Sequence, residues 1–108
     1  MNPEIKAKWL EALRSGKYEQ GTSYLRDGES YCCLGVLCEI SGLNDWVPTE
    51  ALAFHYNASL TSLPVNVMGW SGLKSGDPLI SEIGRTLGAL NDIGRSFEEI
   101  ADYIEKYL

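Results

Sequence analysis

The feature that most constrains the fold is an almost wholly apolar segment at residues 32–41, Cys-Cys-Leu-Gly-Val-Leu-Cys-Glu-Ile-Ser. A helix that is apolar on every side is stable only when other elements surround it. The segment is far shorter than the roughly 20 residues that a membrane-spanning helix needs. We therefore expect a central buried helix that ends at Gly42. Gly35 lies inside it at a cost of about 1 kcal/mol relative to alanine, which indicates close approach of another backbone or of a ligand.

The three cysteines of the chain, at positions 32, 33 and 38, all lie in this segment. An odd number of closely spaced cysteines is not typical of a secreted disulfide framework. Adjacent cysteines and a single histidine, His55, do not form a zinc motif either. We expect buried, reduced thiols, with no metal and no cofactor. A reactive thiol at Cys32 or Cys33, with His55 as its base, is a less favoured alternative.

Capping signals elsewhere predict an α+β fold, mainly α, with at least four helices around one core in a single domain of residues 1–108. The first helix should follow Asn2, a good N-cap, and end at Gly16. The last should begin after Ser96, which can form a capping box with Glu99.

The stretch between the apolar segment and the last helix is less clearly patterned. A further helix is expected to start at Asp77-Pro78 and to bury four aliphatic side chains at helical spacing: Ile80, Ile83, Leu87 and Leu90. A short helix at residues 48–55, starting at Pro48, is one interpretation of that segment. Residues 57–67 are expected to be irregular, and the glycines that follow indicate a loop: Gly69, Gly72 and Gly76.

A short β-hairpin is expected near residues 23–31, because Asp27-Gly28 is a strong signal for a two-residue type I′ turn. This turn would place Arg26 opposite Glu29, Leu25 opposite Ser30 and Tyr24 opposite Tyr31. Side chains alternate between the two faces of a strand. One face of the hairpin should therefore carry four side chains: Tyr24, Arg26, Glu29 and Tyr31.

Charge is distributed unevenly along the chain, whose formal net charge is −6. Residues 1–26 carry five basic and three acidic side chains, whereas residues 27–108 carry four basic and twelve acidic ones. A protein that binds duplex DNA is usually basic, because phosphate contacts supply most of its affinity. We therefore expect no duplex DNA partner, and we expect any anionic ligand to bind near the N-terminal quarter.

Two groups of residues are candidates for ligand binding. The first combines aromatic rings with positive charge, as binding of a purine and its phosphate requires: Lys17, Tyr18, Tyr24, Arg26 and Tyr31. The second is Asn91-Asp92. Each group has a structural alternative. Tyr24 and Tyr31 would form an ordinary cross-strand pair, and Arg26 and Glu29 an ordinary surface ion pair. Asn91 and Asp92 would serve only as turn and capping residues.

Two strings in the chain resemble a family of small proteins of tailed phages and prophages. They are Tyr-Cys-Cys-Leu-Gly-Val-Leu-Cys at residues 31–38 and Leu-Asn-Asp-x-Gly-x-Ser-Phe-x-x-Ile-Ala at residues 90–101. The resemblance extends over nearly the whole chain. It implies a phage or prophage origin and expression in the bacterial cytoplasm, and it carries over no catalytic residues. The N-terminus agrees with that compartment, because no basic region precedes an apolar stretch there, and no membrane association is expected.

These observations leave three functions open. By analogy with small phage proteins that counter host defence, the first is a protein that binds and sequesters a small anionic nucleotide-like ligand without turnover. The second is an inhibitor of a host defence protein that acts through the acidic surface of residues 27–108. The third is a small hydrolase acting on a nucleotide signal. A homo-oligomer is compatible with each of them.

Overall fold

The computed structural model describes all 108 residues as five helices, a five-stranded sheet and a small two-stranded sheet. This α+β architecture agrees with the sequence-based prediction. In chain order the elements are α1 (Pro3–Arg14), β1 (Glu19–Gln20), β2 (Arg26–Asp27), β3 (Ser30–Tyr31), α2 (Cys33–Ser41), β4 (Trp46–Pro48), β5 (Ala53–Tyr56), α3 (Val65–Ser71), β6 (Leu79–Ile80), β7 (Arg85–Thr86), α4 (Leu87–Asp92) and α5 (Phe97–Tyr107).

Helix α2 is the centre of the molecule, as its apolar sequence predicts. It packs against α1, α3 and α4, and its residues from Cys33 to Cys38 are all buried. Close approach of another backbone at Gly35 is also confirmed, because a Cβ atom there would overlap the carbonyl oxygen of Leu25. Only glycine lets the strand segment and the helix backbone come this close.

The first and last helices start where their capping residues predict. The Asn2 side chain accepts hydrogen bonds from the backbone N–H groups of Glu4 and Ile5 at the start of α1. Ser96 and Glu99 form the expected capping box at the start of α5. The two helices pack against each other, and α1 also packs on α2. Trp9, fully buried, donates from its indole Nε1 to the carbonyl oxygen of Cys33 at 3.0 Å. None of the five helices has the length and apolar character needed to cross a membrane.

The five-stranded sheet has the order β1-β3-β2-β5-β4. The predicted hairpin is present, but its predicted register is wrong. Arg26 lies opposite Tyr31, and the two-residue loop is Gly28-Glu29. Gly28 has a φ of +61° and Glu29 has a negative one. A positive φ only at the first central residue is typical of a type II′ turn, which needs glycine there. The loop is therefore one residue further along the chain than the Asp27-Gly28 signal suggests.

The possible helix at residues 48–55 is not formed, because β4 and β5 make an antiparallel hairpin there. Pro48 pairs with Phe54 at the end of β4, which is an edge strand of the sheet. Proline is tolerated on an edge strand because no neighbour needs its missing N–H. The loop expected around Gly69 is likewise wrong in part, because α3 contains Gly69 and ends only at Gly72.

The helix expected from Asp77-Pro78 is also wrong up to residue 86. That segment forms the β6–β7 hairpin, in which Gly84 has a φ of +65° that no helix interior allows. Helix α4 starts only at Leu87. Asp77 does cap a helix, since its Oδ1 accepts from Gly88 N at 2.8 Å, but it does so across the hairpin. The prediction that Asp77 caps a helix is therefore correct, but the β6–β7 hairpin lies between this cap and the start of α4 in the sequence.

Candidate functional site

One cavity lies on the surface of the protein, between α1, the start of β1 and the end of α2. Its volume is about 390 Å³, within the range of roughly 300–1,000 Å³ that is typical of small-molecule sites. We call it the lysine cleft, and seven residues line it: Lys8, Glu11, Ala12, Ser15, Lys17, Tyr18 and Ile40.

The sequence of α1 explains why this wall of the cleft is polar. Residues 8, 11, 12 and 15 recur at helical spacing beside the buried stripe that includes Trp9 and Leu13. Lys8 and Lys17 form no ion pair. Arg14, by contrast, pairs with two carboxylates of α5. The two lysines are therefore free to contact an anion from the solvent.

Tyr18 joins the lysine cleft to the aromatic surface of the sheet. Its ring meets the ring of Tyr31 edge on, with centroids 5.5 Å apart. Burial raises the pKa of the Tyr18 hydroxyl, and the carboxylate of Glu39 raises it further. The same two causes, in the same order, raise the pKa of Tyr31. Both phenols therefore stay protonated at neutral pH and can donate hydrogen bonds.

Arg26 lies over three aromatic rings. Its guanidinium carbon is 4.2 Å from the ring centre of Phe54, 5.5 Å from that of Tyr31 and 5.7 Å from that of Trp46. We call these four side chains the arginine face. The Nε atom donates to the carbonyl oxygen of Gly28 at 2.8 Å, and the two Nη groups have no partner in the protein. The guanidinium of Arg26 is therefore held in place, while its two Nη groups stay available as hydrogen-bond donors.

Glu39 supplies a carboxylate between the lysine cleft and the arginine face. Its Oε2 accepts a hydrogen bond of 2.6 Å from the indole Nε1 of Trp46, and its Oε1 has no partner. Trp46 in turn packs between Tyr31 and Tyr56. Glu39 forms no ion pair with Arg26, although both contact Trp46. The site therefore combines three cationic side chains, Lys8, Lys17 and Arg26, with two carboxylates, Glu11 in the lysine cleft and Glu39 beside the arginine face.

The structure brings four of the predicted site residues together: Lys17, Tyr18, Arg26 and Tyr31. Tyr24 is not among them, because it makes no ring contact with Tyr31 and is exposed. The changed hairpin register explains this, since Arg26 takes the position opposite Tyr31. The two structural alternatives for this face are not formed either. There is no Tyr24–Tyr31 pair and no Arg26–Glu29 ion pair.

Asn91 and Asp92 lie away from the cleft and have structural partners. Asn91 is fully buried, and its Oδ1 accepts from Gln20 Nε2 at 3.0 Å and from Cys33 N at 3.1 Å. Its Nδ2 donates to the carbonyl oxygen of Gly21 at 2.8 Å. Asp92 is exposed at the surface and accepts from Ser23 N at 2.9 Å. Asn91 thus ties β1 to the start of α2, and its amide has no atom left for a ligand.

The thiols are buried, as predicted. Burial raises the pKa of Cys32 to about 11 and raises the pKa values of Cys33 and Cys38 well above the ordinary value. His55 pairs with Val47 and alternates with Phe54, so it points to the sheet face opposite Arg26. The thiols therefore remain un-ionised, and the histidine is directed away from the arginine face. No three acidic, cysteine or histidine side chains converge as metal ligands would.

Eight residues of the site were not predicted from the sequence: Lys8, Glu11, Ala12, Ser15, Glu39, Ile40, Trp46 and Phe54. Lys8 and Glu11 could have been found, because they lie on α1 about two turns and one turn before the predicted helix end at Gly16. Trp46 and Phe54 reach Arg26 only through the pairing of β2 with β5, which joins residues far apart in the sequence. The alternation of Phe54, His55 and Tyr56 was the one available signal for that strand.

A model of the family DUF8296, described as a domain of unknown function, matches residues 1–108. Searches of the curated proteins and of the solved structures find no match.

Proposed function

The chain belongs to the DUF8296 family, and we propose that it binds a small anionic, nucleotide-like ligand in the lysine cleft without converting it. The resemblance to phage and prophage proteins indicates the cell in which this binding would act. In the cytoplasm of an infected bacterium, a protein that sequesters a nucleotide signal would weaken a host defence that depends on that signal.

The observation that carries this proposal is the composition of the one cavity. Lys8 and Lys17 bring two unpaired ammonium groups to its wall against the one carboxylate of Glu11, and Tyr18 adds an aromatic ring. Unpaired lysines attract phosphate, and a tyrosine ring stacks on any nucleobase. The cleft also lies in the net-positive quarter of an otherwise acidic chain. An anion would therefore meet favourable charge here and repulsion over much of the remaining surface.

Binding is favoured over turnover by the position of the chain's strongest nucleophiles. Cys32, Cys33 and Cys38 are all in the core, and burial raises their pKa values, so the thiolate forms are scarce at neutral pH. None of them lines the lysine cleft.

The direct test is a ligand screen. The purified protein is mixed with a panel of nucleotides, cyclic nucleotides and ADP-ribose derivatives, and its melting temperature is followed. Specific binding to the folded state raises that temperature by mass action. The complex is then denatured, and the released compound is identified. We expect recovery of the intact ligand. Recovery of a converted compound would instead support the hydrolase, and no response to any compound would favour a protein partner; either result contradicts the proposal.

A pair of lysine variants locates the site. Lys17→Ala removes a charge-assisted hydrogen bond, so we expect binding about 10- to 150-fold weaker with an unchanged melting temperature of the free protein. Lys74→Ala is the matched control, since Lys74 is an exposed, unpaired lysine outside the cleft. Equal loss of affinity in both variants would show that general charge, and not the cleft, holds the ligand.

A further inference from the structure

We propose that the ligand carries two separate anionic groups joined by a neutral segment that donates hydrogen bonds. This inference rests on the proposed function and deepens it by naming a ligand class. The nucleoside bisphosphates, with phosphates on different ribose positions, have this pattern. Nucleoside diphosphates, with adjacent phosphates, do not.

Two separate cationic groups set the spacing of the anions. The first is the Lys8–Lys17 pair of the lysine cleft, and the second is the guanidinium of Arg26. The rings of Tyr18 and Tyr31 lie between them, joined by two successive steps of 5.5 Å from ring to ring and from ring to guanidinium. A single phosphate beside Lys17 would leave Arg26 without a partner. A second anionic group further along the molecule would reach it.

Arg26 is prepared for such a contact. Three aromatic rings and the Nε bond to Gly28 restrain its guanidinium before any ligand binds. Its two Nη groups form a planar fork with no protein partner. Such a fork matches two oxygens of one phosphate or carboxylate, and prior restraint reduces the entropy lost on binding.

The carboxylate of Glu39 determines which chemical group of the ligand can lie between its two anionic groups. Its carboxylate is close enough to Tyr18 and Tyr31 to raise both their pKa values, and it contacts Trp46. A third negative group placed there would be repelled, whereas a hydroxyl or an N–H group would find the free Oε1 as an acceptor. A ribose or a base therefore suits this position, and a continuous phosphate chain does not.

Three commercial nucleotides separate these possibilities by calorimetry. Adenosine 3′,5′-bisphosphate and ADP have the same base, sugar and number of phosphates, and AMP lacks the second phosphate. We expect the bisphosphate to bind about 10- to 150-fold more tightly than AMP, because Arg26 adds a charge-assisted contact. The affinity of ADP should exceed that of AMP by less than the bisphosphate does, because its second phosphate is bonded directly to the first and does not extend to Arg26.

Two variants test the assigned roles. Arg26→Gln should reduce the affinity for the bisphosphate to that for AMP and leave AMP binding unchanged. If the Arg26→Gln protein does not fold, Arg26→Lys takes its place, and its charge without a fork should give an intermediate loss. Glu39→Gln keeps an acceptor for the Trp46 indole and removes the negative charge. It should therefore improve the binding of ADP more than that of the bisphosphate.

The possible failures are distinguishable. If the three nucleotides bind with equal affinity, or if Arg26→Gln weakens all three equally, the two-anion inference is overturned and the proposed function stands. The same holds if another panel compound with one anionic group binds and the bisphosphate does not. If neither these nucleotides nor any compound of the wider panel binds, the proposed function itself is overturned.

Discussion

The interior around Asn91 and the surface around Arg26 are built from similar polar groups that are used in opposite ways. The amide of Asn91 is fully buried and bonds to the side chain of Gln20 and the backbones of Gly21 and Cys33. The guanidinium of Arg26 makes one backbone hydrogen bond and leaves its Nη groups free. Lys8 and Lys17 form no ion pair at all.

This difference separates residues that maintain the fold from residues available to a ligand. No buried side-chain nitrogen or oxygen lacks a hydrogen-bond partner, so the interior holds no polar side chain that waits for a ligand. The unused donors are all at the surface, and three of the cationic ones surround Tyr18 and Tyr31. Removing interior groups should therefore cost stability, and removing surface groups should cost binding.

Alkaline pH should destabilise the protein most, because the interior holds three thiols. Unfolded thiols ionise near pH 9, whereas burial raises the pKa of Cys32 to about 11 and also raises those of Cys33 and Cys38. Between those values the unfolded chain binds fewer protons, so the free energy of unfolding falls as pH rises, by about 1.4 kcal/mol per pH unit for each thiol. Urea denaturation across this range measures the slope.

The control for the alkaline effect is Cys32→Ala, which should reduce the slope by the share of one thiol. Below pH 9 the thiols are protonated in both states, and the slope they cause should vanish. An unfolding free energy that stays constant from pH 9 to 11 would mean that the thiols are not sealed in the interior.

Gly35→Ala should cost at least about 4 kcal/mol, because the new methyl group overlaps a carbonyl oxygen of the main chain, which cannot rotate away. Gly69→Ala is the matched control in another helix. A Cβ there meets nothing within 4 Å, so the substitution should stabilise the protein by about 0.5–1 kcal/mol. Thermal and urea denaturation of the two variants should thus shift in opposite directions. Similar shifts would refute the close contact between α2 and Leu25.

Asn91→Ala should cost roughly 2–5 kcal/mol, because it removes the partners of the buried N–H of Cys33 and of the partly buried carbonyl oxygen of Gly21. Asn66→Ala removes an exposed amide that bonds to Asn44, and its cost should stay below about 1 kcal/mol. Urea denaturation measures both values. If Asn91→Ala folds normally and loses only ligand binding, then Asn91 belongs to the site after all.

Arg26→Ala should cost only about 1 kcal/mol of stability, since contacts of a partly exposed cation with aromatic rings are weak. Ligand affinity should fall far more than stability. Glu29→Ala should leave the melting temperature unchanged, because Glu29 forms no ion pair with Arg26. An equal loss of stability in both variants, with ligand binding intact, would support the alternative in which Arg26 and Glu29 form an ordinary surface ion pair. Arg26 would then not belong to the site.

The parts of the fold that the sequence predicts are those with local causes. Helix α2 follows from ten consecutive residues, and α1 and α5 follow from caps that act within four residues. The β6–β7 hairpin was mistaken for helix because the aliphatic residues from Ile80 to Leu87 also fit a helical period. The positive φ of Gly84 excludes a continuous helix here, and the hydrogen bond from Gly88 N to Asp77 joins residues on either side of the hairpin, which the helical spacing alone does not indicate.

In the candidate site too, the residues that were predicted have a local sequence signal, and those placed by strand pairing were not predicted. Lys17, Tyr18, Arg26 and Tyr31 were predicted from charge and aromatic content over a short stretch of chain. The register of the hairpin was not, because it depends on a one-residue shift of the turn at Gly28. The shift moves each cross-strand partner by two residues, so Arg26 and Tyr31 stay on one face but Tyr24 loses the position opposite Tyr31. Trp46 and Phe54 were not predicted because they reach Arg26 only through the long-range pairing of β2 with β5.

The hydrogen bond from the Trp46 indole to Glu39 gives the arginine face a spectroscopic signal of its own. Of the three tryptophans, Trp9 is sealed in the core, whereas Trp46 is half-buried and packs beside a cation and a carboxylate. Indole emission responds to nearby charge and to the presence of water. An occupant that neutralises Arg26 would therefore change the emission of Trp46, while the emission of Trp9 and of Trp70, neither of which contacts Arg26, stays constant. The unlabelled protein can thus serve as its own fluorescent sensor in a titration.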